Sequence, residues 1–433
     1  MTVPFDPGVL RNDPEHRALI LDLFTGALDE VDPYRAVARR LRLVDGTVTI
    51  DGVAMTNTDR IIVLAFGKAA PSMARAVADI LPLDTGLVIS NHPEPLPPPL
   101  ELVPAGHPLP DDRSVAGARR LLRLGSEATA GDLVLCLISG GGSALAEIPA
   151  PDLTLSDLQE TVRLLLTSGA PIEEINTVRT HLSAFKGGRL AQAVAPARLV
   201  TLVLSDIVDS PIPFIASGPT VADPTTYADA LDILERYELT HLVPPRVLRH
   251  LRLGADGVIA ETPKTDLPDH RVVIVADGAT AAEGARRVAK RIGLSATIAT
   301  TTLTGEAREA AVACIGGAGT GITIFAGETT VTVRGGGLGG RNQEAALAAA
   351  TVIETNPDIV FATLATDGVD GPTDAAGAIV DGSTLSRGRA LGLDAAAALE
   401  SNDAYPYLQA TADLLMTGPT GTNVGDVWVV WRW

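Results

Sequence analysis

The signals that decide the fold lie closest together in Thr329-Thr-Val-Thr-Val-Arg334-Gly-Gly-Gly-Leu-Gly-Gly-Arg341-Asn342-Gln343-Glu344, which runs into an alanine-rich segment. Threonine and valine favour a strand, glycine permits a tight turn, and alanine favours a helix. The positive end of that helix and its free N–H groups favour an anion. Arg334 and Arg341 bracket the turn, so we expect a phosphate or carboxylate there; a flexible surface loop is the alternative.

The same order of strand, turn and helix recurs along the chain. An amphipathic helical region is predicted over 14–43, interrupted near Asp32-Pro33. The predicted strands are 60–66, 86–90, 132–138, 199–204, 271–276, 296–300, 321–325, 329–334, 359–364 and 427–430. Nearly continuous apolar strands that alternate with helices predict an α/β fold with mostly parallel sheets covered on both faces.

At 433 residues the chain is long for one domain, so we expect two. The segment from Pro244 to Asp269 mixes prolines, glycines and charges without periodicity, and the strand–helix alternation restarts after it. The predicted domains are therefore 1–245 and 246–433. Ligand sites in such sheets lie beyond the carboxyl ends of strands, and a cleft between the domains is the expected active site.

Composition restricts the class of protein. Hydrophobic residues make up 46% and charged residues 20%, which predicts a well-buried core. A net charge of −18 argues against a nucleic-acid partner. Cys136 and Cys314 lie in apolar segments, so we expect free, buried thiols. The N-terminus has no signal core and the chain has no long apolar run, which predicts a cytoplasmic protein that does not span a membrane.

Three strand-to-loop junctions gather cations or hydroxyl groups. Lys68 follows the strand 60–66 in a setting that is not a Walker A loop. Ser139-Gly140-Gly141-Gly142-Ser143 follows the strand 132–138 and repeats the logic of the first glycine turn. Arg179 and Lys186 are seven residues apart and would share one helical face, making a positive patch. A solvated lysine and a solvated basic helix face are the alternatives.

A fourth junction is acidic. Asp367, Asp370 and Asp374 follow the strand 359–364, and Asp206 stands at the end of the strand 199–204. Carboxylates on such loops can hold Mg²⁺, although Asp-Gly and Gly-Pro also make turns unaided. The histidines show no metal-ligand spacing, and His107, in a proline-rich loop, is the one to watch.

Several motifs occur in a fixed order over nearly the whole chain. They are Ser139-Gly-Gly-Gly-Ser-Ala-Leu145, Ile175-Asn-Thr-Val-Arg179, Lys186-Gly-Gly-Arg189, Ile215-Ala-Ser-Gly-Pro-Thr220, Gly339-Gly-Arg-Asn-Gln-Glu344, Thr366-Asp-Gly-Val-Asp-Gly-Pro-Thr-Asp-Ala-Ala376 and Thr417-Gly-Pro-Thr-Gly-Thr-Asn423. In these motifs the chain resembles the type 2 glycerate kinases (glycerate 2-kinases), whose C-terminal part is called the MOFRL domain. The resemblance implies a Rossmann-like N-terminal domain, a smaller α/β C-terminal domain, and phosphorylation of D-glycerate to 2-phosphoglycerate with ATP and Mg²⁺.

The resemblance assigns two site residues, and the chemistry of phosphoryl transfer suggests the others. The family's active-site lysine and arginine correspond to Lys68 and Arg341. Asp206 and Asp367 are expected to act in catalysis as proton acceptor or metal ligand, and the expected metal ligands are Asp206, Asp367 and Asp374. The expected substrate- and nucleotide-binding residues are Ser139, Gly140, Gly141, Gly142, Ser143, Arg179, Lys186, Gly337, Gly339, Gly340, Asn342 and Glu344.

The chain departs from the family's pattern in two places. Ile207-Val-Asp-Ser-Pro211 replaces a segment that usually contains a further glycine and carboxylate, and Gly425 stands where asparagine is expected. Both changes could alter the acceptor, so phosphoryl transfer is the firmer expectation than glycerate itself.

Two other classes of function stay open. Gly335-x-Gly337-x-x-Gly340 matches the dinucleotide fingerprint, which would suit an NAD(P)-dependent hydroxypyruvate reductase, but no carboxylate stands at the expected ribose position. A non-catalytic binder of small anions would keep the glycine turns without needing the acidic loop. We expect a small hydroxy acid as partner, neither nucleic acid nor membrane, with a homodimer as an open alternative.

Overall fold

The structure of the protein, a computed structural model, describes residues 5–92, 94–209 and 211–433. Ser210, in the departure at 207–211, therefore lies outside the described residues. No helix in these ranges is long and apolar enough to cross a bilayer.

Strands account for much of the buried core. In the described residues they are β1 Leu41–Val44, β2 Thr47–Ile50, β3 Val53–Met55, β4 Ile61–Phe66, β5 Thr85–Ser90, β6 Leu100–Pro104, β7 Leu133–Ile138, β8 Arg198–Leu204, β9 Arg271–Ala276, β10 Ala296–Leu303, β11 Gly321–Gly327, β12 Ile359–Ala365, β13 Gly377–Asp381, β14 Leu414–Leu415 and β15 Asp426–Arg432.

Helices connect most of these strands. They are α1 Pro14–Glu30, α2 Pro33–Ala38, α3 Ala70–Ile80, α4 Asp112–Ser126, α5 Gly142–Leu145, α6 Leu155–Thr167, α7 Ile172–His181, α8 Arg189–Val194, α9 Tyr227–Arg236, α10 Pro245–Ala255, α11 Gly278–Arg291, α12 Ala307–Gly317, α13 Arg341–Val352, α14 Thr384–Ala390, α15 Ala395–Glu400 and α16 Ala404–Ala410. Short 3₁₀ helices span Pro7–Arg11 and Ile212–Ser217.

One compact unit is built on a six-stranded sheet of order β6-β5-β4-β7-β8-β9. The pairs from β6 to β8 are parallel. Every residue of β4 and β7 is buried, which explains their uninterrupted apolar sequence. Helices α3 and α4 pack on this sheet. The predicted Rossmann-like parallel sheet is confirmed.

The second compact unit contains a mixed sheet of order β10-β11-β15-β12-β13-β14. β10 and β11 are parallel, whereas β15 runs antiparallel to both β11 and β12. The alanine-rich helix α13 packs against β12 and β13, and small side chains let it approach the sheet closely. The predicted second α/β domain is present, with a more antiparallel sheet than expected.

The two units divide the chain elsewhere than the predicted boundary at residue 245. The unit with the parallel sheet comprises Ala36–Leu204 and Pro211–Val275, because α10 packs on α9 and α6, and β9 completes the parallel sheet. The other unit includes Ala276–Trp433 and the chain up to Arg35, because α1 packs along α11. Sequence periodicity finds elements but not their partners, so both assignments were missed.

Two local predictions were wrong. Residues 329–334 form no strand beyond an isolated bridge between Glu306 and Thr330, because side chains take the backbone groups instead. The Thr332 N–H donates to Glu306 and the Arg334 N–H donates to the Asn402 Oδ1 at 2.7 Å. The helical region predicted to reach residue 43 ends at Ala38, and a three-stranded antiparallel sheet of β1, β2 and β3 follows.

A buried ion network ties α1 to the mixed sheet. Arg17 has no exposed surface, and its Nη2 lies 2.5 Å from Asp381 Oδ2 and 2.6 Å from Asp413 Oδ1. Arg387 contacts the same two carboxylates at 3.0 and 2.6 Å. Burial disfavours the charged Asp381, but its hydrogen bond from Ser383 and the nearby Arg17 and Arg387 outweigh it and lower the pKa of Asp381.

We predict that Arg17→Met lowers the free energy of unfolding by about 3–5 kcal/mol, because it leaves buried carboxylates short of a cation. Arg35→Met is the matched control: Arg35 pairs with Asp29 at 2.7 Å at the surface, and its loss should cost less than about 1 kcal/mol. Urea unfolding measures both.

The pH dependence of stability tests the same network. Because the folded-state pKa of Asp381 is depressed, its stabilisation is present above the unfolded pKa of about 4 and is lost as pH falls. The wild type should therefore lose more stability than Arg17→Met between neutral pH and acid. Equal acid sensitivity of the two proteins would contradict this account.

Candidate functional site

The candidate site of the parallel-sheet unit lies where two adjacent strands end. β4 pairs with β7 up to Phe66 and Ile138, so the loops that follow them meet. The Lys68 N–H donates to the Gly140 carbonyl at 2.9 Å, and the Ala69 N–H donates to Ser139 Oγ at 3.0 Å. The structure therefore brings Lys68 together with the predicted Ser139–Ser143 turn.

This junction requires glycine at position 67. Gly67 has φ of +133°, and a Cβ there would lie 2.1 Å from Ser139 Oγ. A side chain would combine backbone strain with a direct collision. The close approach of Gly67 to Ser139 is therefore what sets the spacing between the two loops.

Lys68 and His107 flank the middle of the glycine turn. A Cβ built on Gly141, whose φ is +80°, would lie 3.0 Å from His107 Cδ2 and 3.3 Å from Lys68 Cγ. Burial, Lys68 and His92 together lower the pKa of His107 to about 4. His107 is thus a neutral imidazole at pH 7, and Lys68, which is half-buried, supplies the positive charge beside the turn.

The Lys186 side chain contacts the backbone of this turn from the protein interior. It is fully buried, and its Nζ donates to the carbonyls of Ser143 and Ala146 at 2.9 and 3.0 Å and pairs with Glu147 at 3.3 Å. Lys186 therefore contacts the turn itself, and its predicted direct contact with the substrate stays a prediction. The predicted shared helix face is wrong, since α7 ends at His181 before reaching Lys186.

The side chain of Arg179, in contrast, makes a single hydrogen bond among the described residues. Its Nη1 donates to Asn176 Oδ1 at 3.4 Å, a long bond. Within the ranges that the structure describes, no carboxylate forms an ion pair with Arg179. Burial lowers the pKa of its guanidinium, and the charge of Glu147 offsets that effect only in part. A cation in that state favours an anionic ligand.

The candidate site residues of the other unit surround Arg341. Its Nε and Nη2 donate to the two oxygens of Asp426 at 2.6 and 3.0 Å, and its Nη1 lies 2.7 Å from Glu328. Burial disfavours the charge on Arg341, but Asp426 and Glu328 outweigh it and raise its pKa. Arg341 is charged and already paired with two carboxylates of its own unit.

A carboxylate of the chain itself, that of Asp370, caps the N-terminus of α13. Asp370 is buried and accepts the backbone N–H groups of Asn342 and Gln343 at 3.1 and 2.9 Å, and also the Gln343 side chain at 2.9 Å. A Cβ on Gly340 would lie 2.3 Å from the Asp370 carboxyl carbon. A carboxylate of the chain therefore occupies the helix end at which the sequence predicted a bound phosphate or carboxylate.

The glycine turn itself packs against the chain. The N–H groups of Gly335 and Gly337 donate to Asn402 Oδ1 and Ser401 O at 3.0 and 2.9 Å. A Cβ on Gly337 would lie 2.5 Å from Asp403 Cβ. Gly335 and Gly337 therefore pack closely on 401–403, and the nucleotide contact predicted for Gly337, Gly339 and Gly340 stays a prediction.

Two further predicted ligand contacts are internal. Asn342 is fully buried, donates to Asp426 at 2.9 Å and accepts the Trp428 indole N–H at 2.7 Å. Glu344 is buried and pairs with Arg308 and Asn402. Both side chains make contacts inside the mixed-sheet unit, and their predicted role in nucleotide binding stays a prediction.

The carboxylates near Arg341 make this region acidic. Partial burial raises the pKa of Glu328, and the charges of Asp426, Asp206 and Asp367 add to that rise. Asp374 is exposed and accepts a hydrogen bond from Tyr405 at 2.7 Å. Among the described residues, no three His, Cys, Asp or Glu side chains are arranged to hold a metal ion, so the predicted ligand set Asp206, Asp367 and Asp374 is not preassembled.

Both cysteines are free and buried, as expected, and burial raises the pKa of Cys314 to about 12.

Gly425 has φ of +82°, and its carbonyl accepts the Thr366 hydroxyl at 2.6 Å. Asparagine and glycine both tolerate that conformation, so the departure at this position preserves the backbone path.

Sequence reasoning missed the partners of the predicted residues. Asp426, Glu328 and Asp370 are charged positions beside apolar strands, and such a position signals a buried ion pair or cap. Ser217 is buried, and its backbone is left-handed, with φ of +61°. Its hydroxyl lies 3.1 Å from Asn176 Oδ1 and 3.3 Å from Ser143 Oγ, a contact that no local sequence signal reports.

Comparisons with known proteins agree with this architecture. A family model described as a domain of unknown function (DUF4147) matches residues 19–252, and the MOFRL family matches residues 321–426. A glycerate 2-kinase from Pyrococcus horikoshii is 42% identical over 95% of this chain and 96% of its own. A putative hydroxypyruvate reductase from Agrobacterium vitis is 37% identical over 96% of this chain and 94% of its own.

A solved structure shows the same fold. The crystal structure of glycerate kinase from Thermotoga maritima superimposes with a TM-score of 0.86, at 38% identity, over 97% of this chain and all of that one. The chain belongs to the type 2 glycerate kinase family, with its DUF4147 and MOFRL parts.

We predict that Gly67→Ala lowers the free energy of unfolding by at least about 3 kcal/mol, since it adds backbone strain and a collision with Ser139. Gly52→Ala is the matched control in the same unit: Gly52 has φ of +78° but open space around it. Gly52→Ala should lower the free energy of unfolding by only about 1–2 kcal/mol. Equal losses in urea unfolding would show that the contact with Ser139 is unimportant.

Proposed function

We propose that the protein transfers a phosphoryl group from ATP to the 2-hydroxyl of D-glycerate and releases 2-phosphoglycerate. Family membership over nearly the full chain supports glycerate as the acceptor. The observation that carries the proposal is Lys68 beside the Gly140–Gly142 turn at the carboxyl ends of β4 and β7.

The geometry around Lys68 suits this chemistry. Phosphoryl transfer needs positioning and charge stabilisation more than covalent help. Gly141 lets the backbone of the turn approach Lys68 and His107 closely, and Lys68 supplies a positive charge at the same point. The neutral His107 leaves that charge unopposed and can exchange hydrogen bonds with a hydroxyl or phosphoryl oxygen.

The acidic region around Arg341 suits a divalent cation. Mg²⁺ usually takes one or two carboxylates, keeps several waters and binds the phosphates of the nucleotide. Asp206 and Asp367 offer that donor set, and their charges add to the rise in the pKa of Glu328, which indicates a negative potential that favours a cation. Bound there with ATP, Mg²⁺ would neutralise phosphate charge. Arg341 keeps the Asp426 and Glu328 carboxylates paired, and Asp206 or Asp367 can accept the hydroxyl proton.

The reductase alternative has less support. A dinucleotide fingerprint binds pyrophosphate at the N-terminus of its helix. In this protein Asp370 already fills the N-terminus of α13, and no strand precedes the glycine turn. The putative reductase name of one relative does not restore either feature. A non-catalytic anion binder would leave the acidic region around Arg341 unexplained.

We predict that Lys68→Ala lowers kcat for D-glycerate phosphorylation by about 100- to 1000-fold, because a charge-stabilising group is removed. Lys290→Ala is the control, since Lys290 lies on the exposed face near the end of α11. ADP release measures turnover, and ³¹P NMR distinguishes 2-phosphoglycerate from 3-phosphoglycerate.

Two results would overturn the proposal. Turnover of Lys68→Ala close to that of the wild type would remove Lys68 from the site. Oxidation of NADH with hydroxypyruvate, together with no ADP release from ATP and glycerate, would replace the kinase by a reductase. Arg341→Ala is a poorer test, because it also leaves the buried Asp426 unpaired and destabilises the fold.

A further inference from the structure

A group of hydrogen-bonded polar side chains lies beside the glycine turn of the parallel-sheet unit. Asn176 Oδ1 accepts hydrogen bonds from Arg179 Nη1 at 3.4 Å and from Ser217 Oγ at 3.1 Å. Ser143 Oγ lies 3.3 Å from Ser217 Oγ. Asn176, Arg179, Ser143 and Ser217 therefore form one connected group, which we call the Arg179 cluster.

The Arg179 cluster has donors left over. In the described part of the chain, the Asn176 side-chain NH₂ has no hydrogen-bond partner, and neither do Nε and Nη2 of Arg179. Asn176 and Ser217 are both almost fully buried. Donor groups that the protein leaves without a partner in a largely buried cluster can be satisfied by acceptor oxygens of a ligand or of water.

The backbone at Ser217 is held in an uncommon conformation. Ala216, Ser217 and Gly218 have φ of +51°, +61° and +58°, three left-handed residues in succession. Non-glycine residues pay for that conformation, and it persists where the surrounding structure fixes it, often at functional sites. Its effect here is to turn the Ser217 hydroxyl toward Asn176 and Ser143.

The local charge is small and positive. Glu147 lies 3.3 Å from Lys186 and also acts electrostatically on Arg179, which forms no ion pair of its own with a carboxylate in the described residues. One uncompensated positive charge and several neutral donors match a ligand that carries a single negative charge. The multiply charged phosphates of a nucleotide would exceed what this cluster can neutralise.

We propose that the Arg179 cluster binds the carboxylate of the acceptor substrate and thereby selects a 2-hydroxy acid over a neutral polyol. The inference rests on the proposed function and assigns that part of it to Arg179, Asn176, Ser143 and Ser217. Arg179 pairs with the carboxylate, the Asn176 amide and the hydroxyls complete its hydrogen bonds, and Lys68 remains for the phosphoryl group.

The test separates binding of the acceptor from binding of ATP. Arg179→Gln should raise KM for D-glycerate about 10- to 150-fold, the range of a hydrogen bond to a charged group, and leave KM for MgATP within about twofold. Ser217→Ala should raise KM for D-glycerate about 2- to 10-fold. The control, Arg163→Gln, removes an exposed arginine that pairs with Glu160 and should change neither constant.

A neutral acceptor shows whether the carboxylate is what is recognised. The wild type should prefer D-glycerate to glycerol in kcat/KM, and Arg179→Gln should reduce that preference about as much as it raises KM for glycerate. A merely structural role for Arg179 would lower kcat/KM for both acceptors together, and that result would overturn the inference. If Arg179→Gln does not fold, Ser217→Ala carries the same comparison.

Direct titration distinguishes failure of this inference from failure of the proposed function. Binding of D-glycerate and D-lactate, but not glycerol, that is lost in Arg179→Gln supports the carboxylate site even if the wild type shows no kinase activity. Kinase activity with KM for D-glycerate unchanged in Arg179→Gln overturns the site and leaves the function standing. A rise confined to KM for MgATP would instead assign the cluster to nucleotide phosphate.

Discussion

The close approach of Gly67 to Ser139 is the constraint on which the candidate site depends. It is possible because β4 and β7 are adjacent parallel strands that end at the same edge of the sheet. Since no side chain stands between the two loops, the Lys68 N–H reaches the Gly140 carbonyl, and the lysine side chain lies beside Gly141. Lys186 and Glu147 then fix the far side of the turn. The arrangement of Lys68 beside the glycine turn is therefore a consequence of sheet topology as much as of residue type.

In the second unit, carboxylates of the chain surround the start of the helix that follows the glycine turn. This helix, α13, looks like an anion site by sequence, yet Asp370 supplies the negative charge at the helix end, and Asp426 and Glu328 pair with Arg341. Burial and the neighbouring Asp426 raise the pKa of Asp370 to about 6, so its carboxylate is held charged at neutral pH mainly by the donors around it. An acidic region with one paired arginine is suited to a metal ion that travels with a nucleotide.

The sequence predicts the strands and the loops that follow them better than it predicts contacts between residues far apart along the chain. The strands β4, β7, β8 and β9 follow from uninterrupted apolar runs, and Lys68 and the Ser139–Ser143 turn follow from their position after such strands. The partners of Arg341 could not be predicted, because Asp426 is 85 residues away along the chain and only the β11-β15-β12 pairing brings it near. The domain boundary failed for a similar reason, since β9 joins a sheet formed by earlier strands. The glycines at 335–337, 339 and 340 are compatible with close backbone packing as well as with ligand approach, and the sequence does not distinguish the two.

The most direct test of the central claim is a crystal structure of the protein with D-glycerate, Mg²⁺ and a non-hydrolysable ATP analogue. The account predicts an anionic ligand oxygen within about 3 Å of Lys68 Nζ, beside the Gly140–Gly142 turn, with Asp370 still capping α13. A phosphate bound at the N-terminus of α13 with Asp370 displaced, and a Lys68 that contacts no ligand, would contradict it.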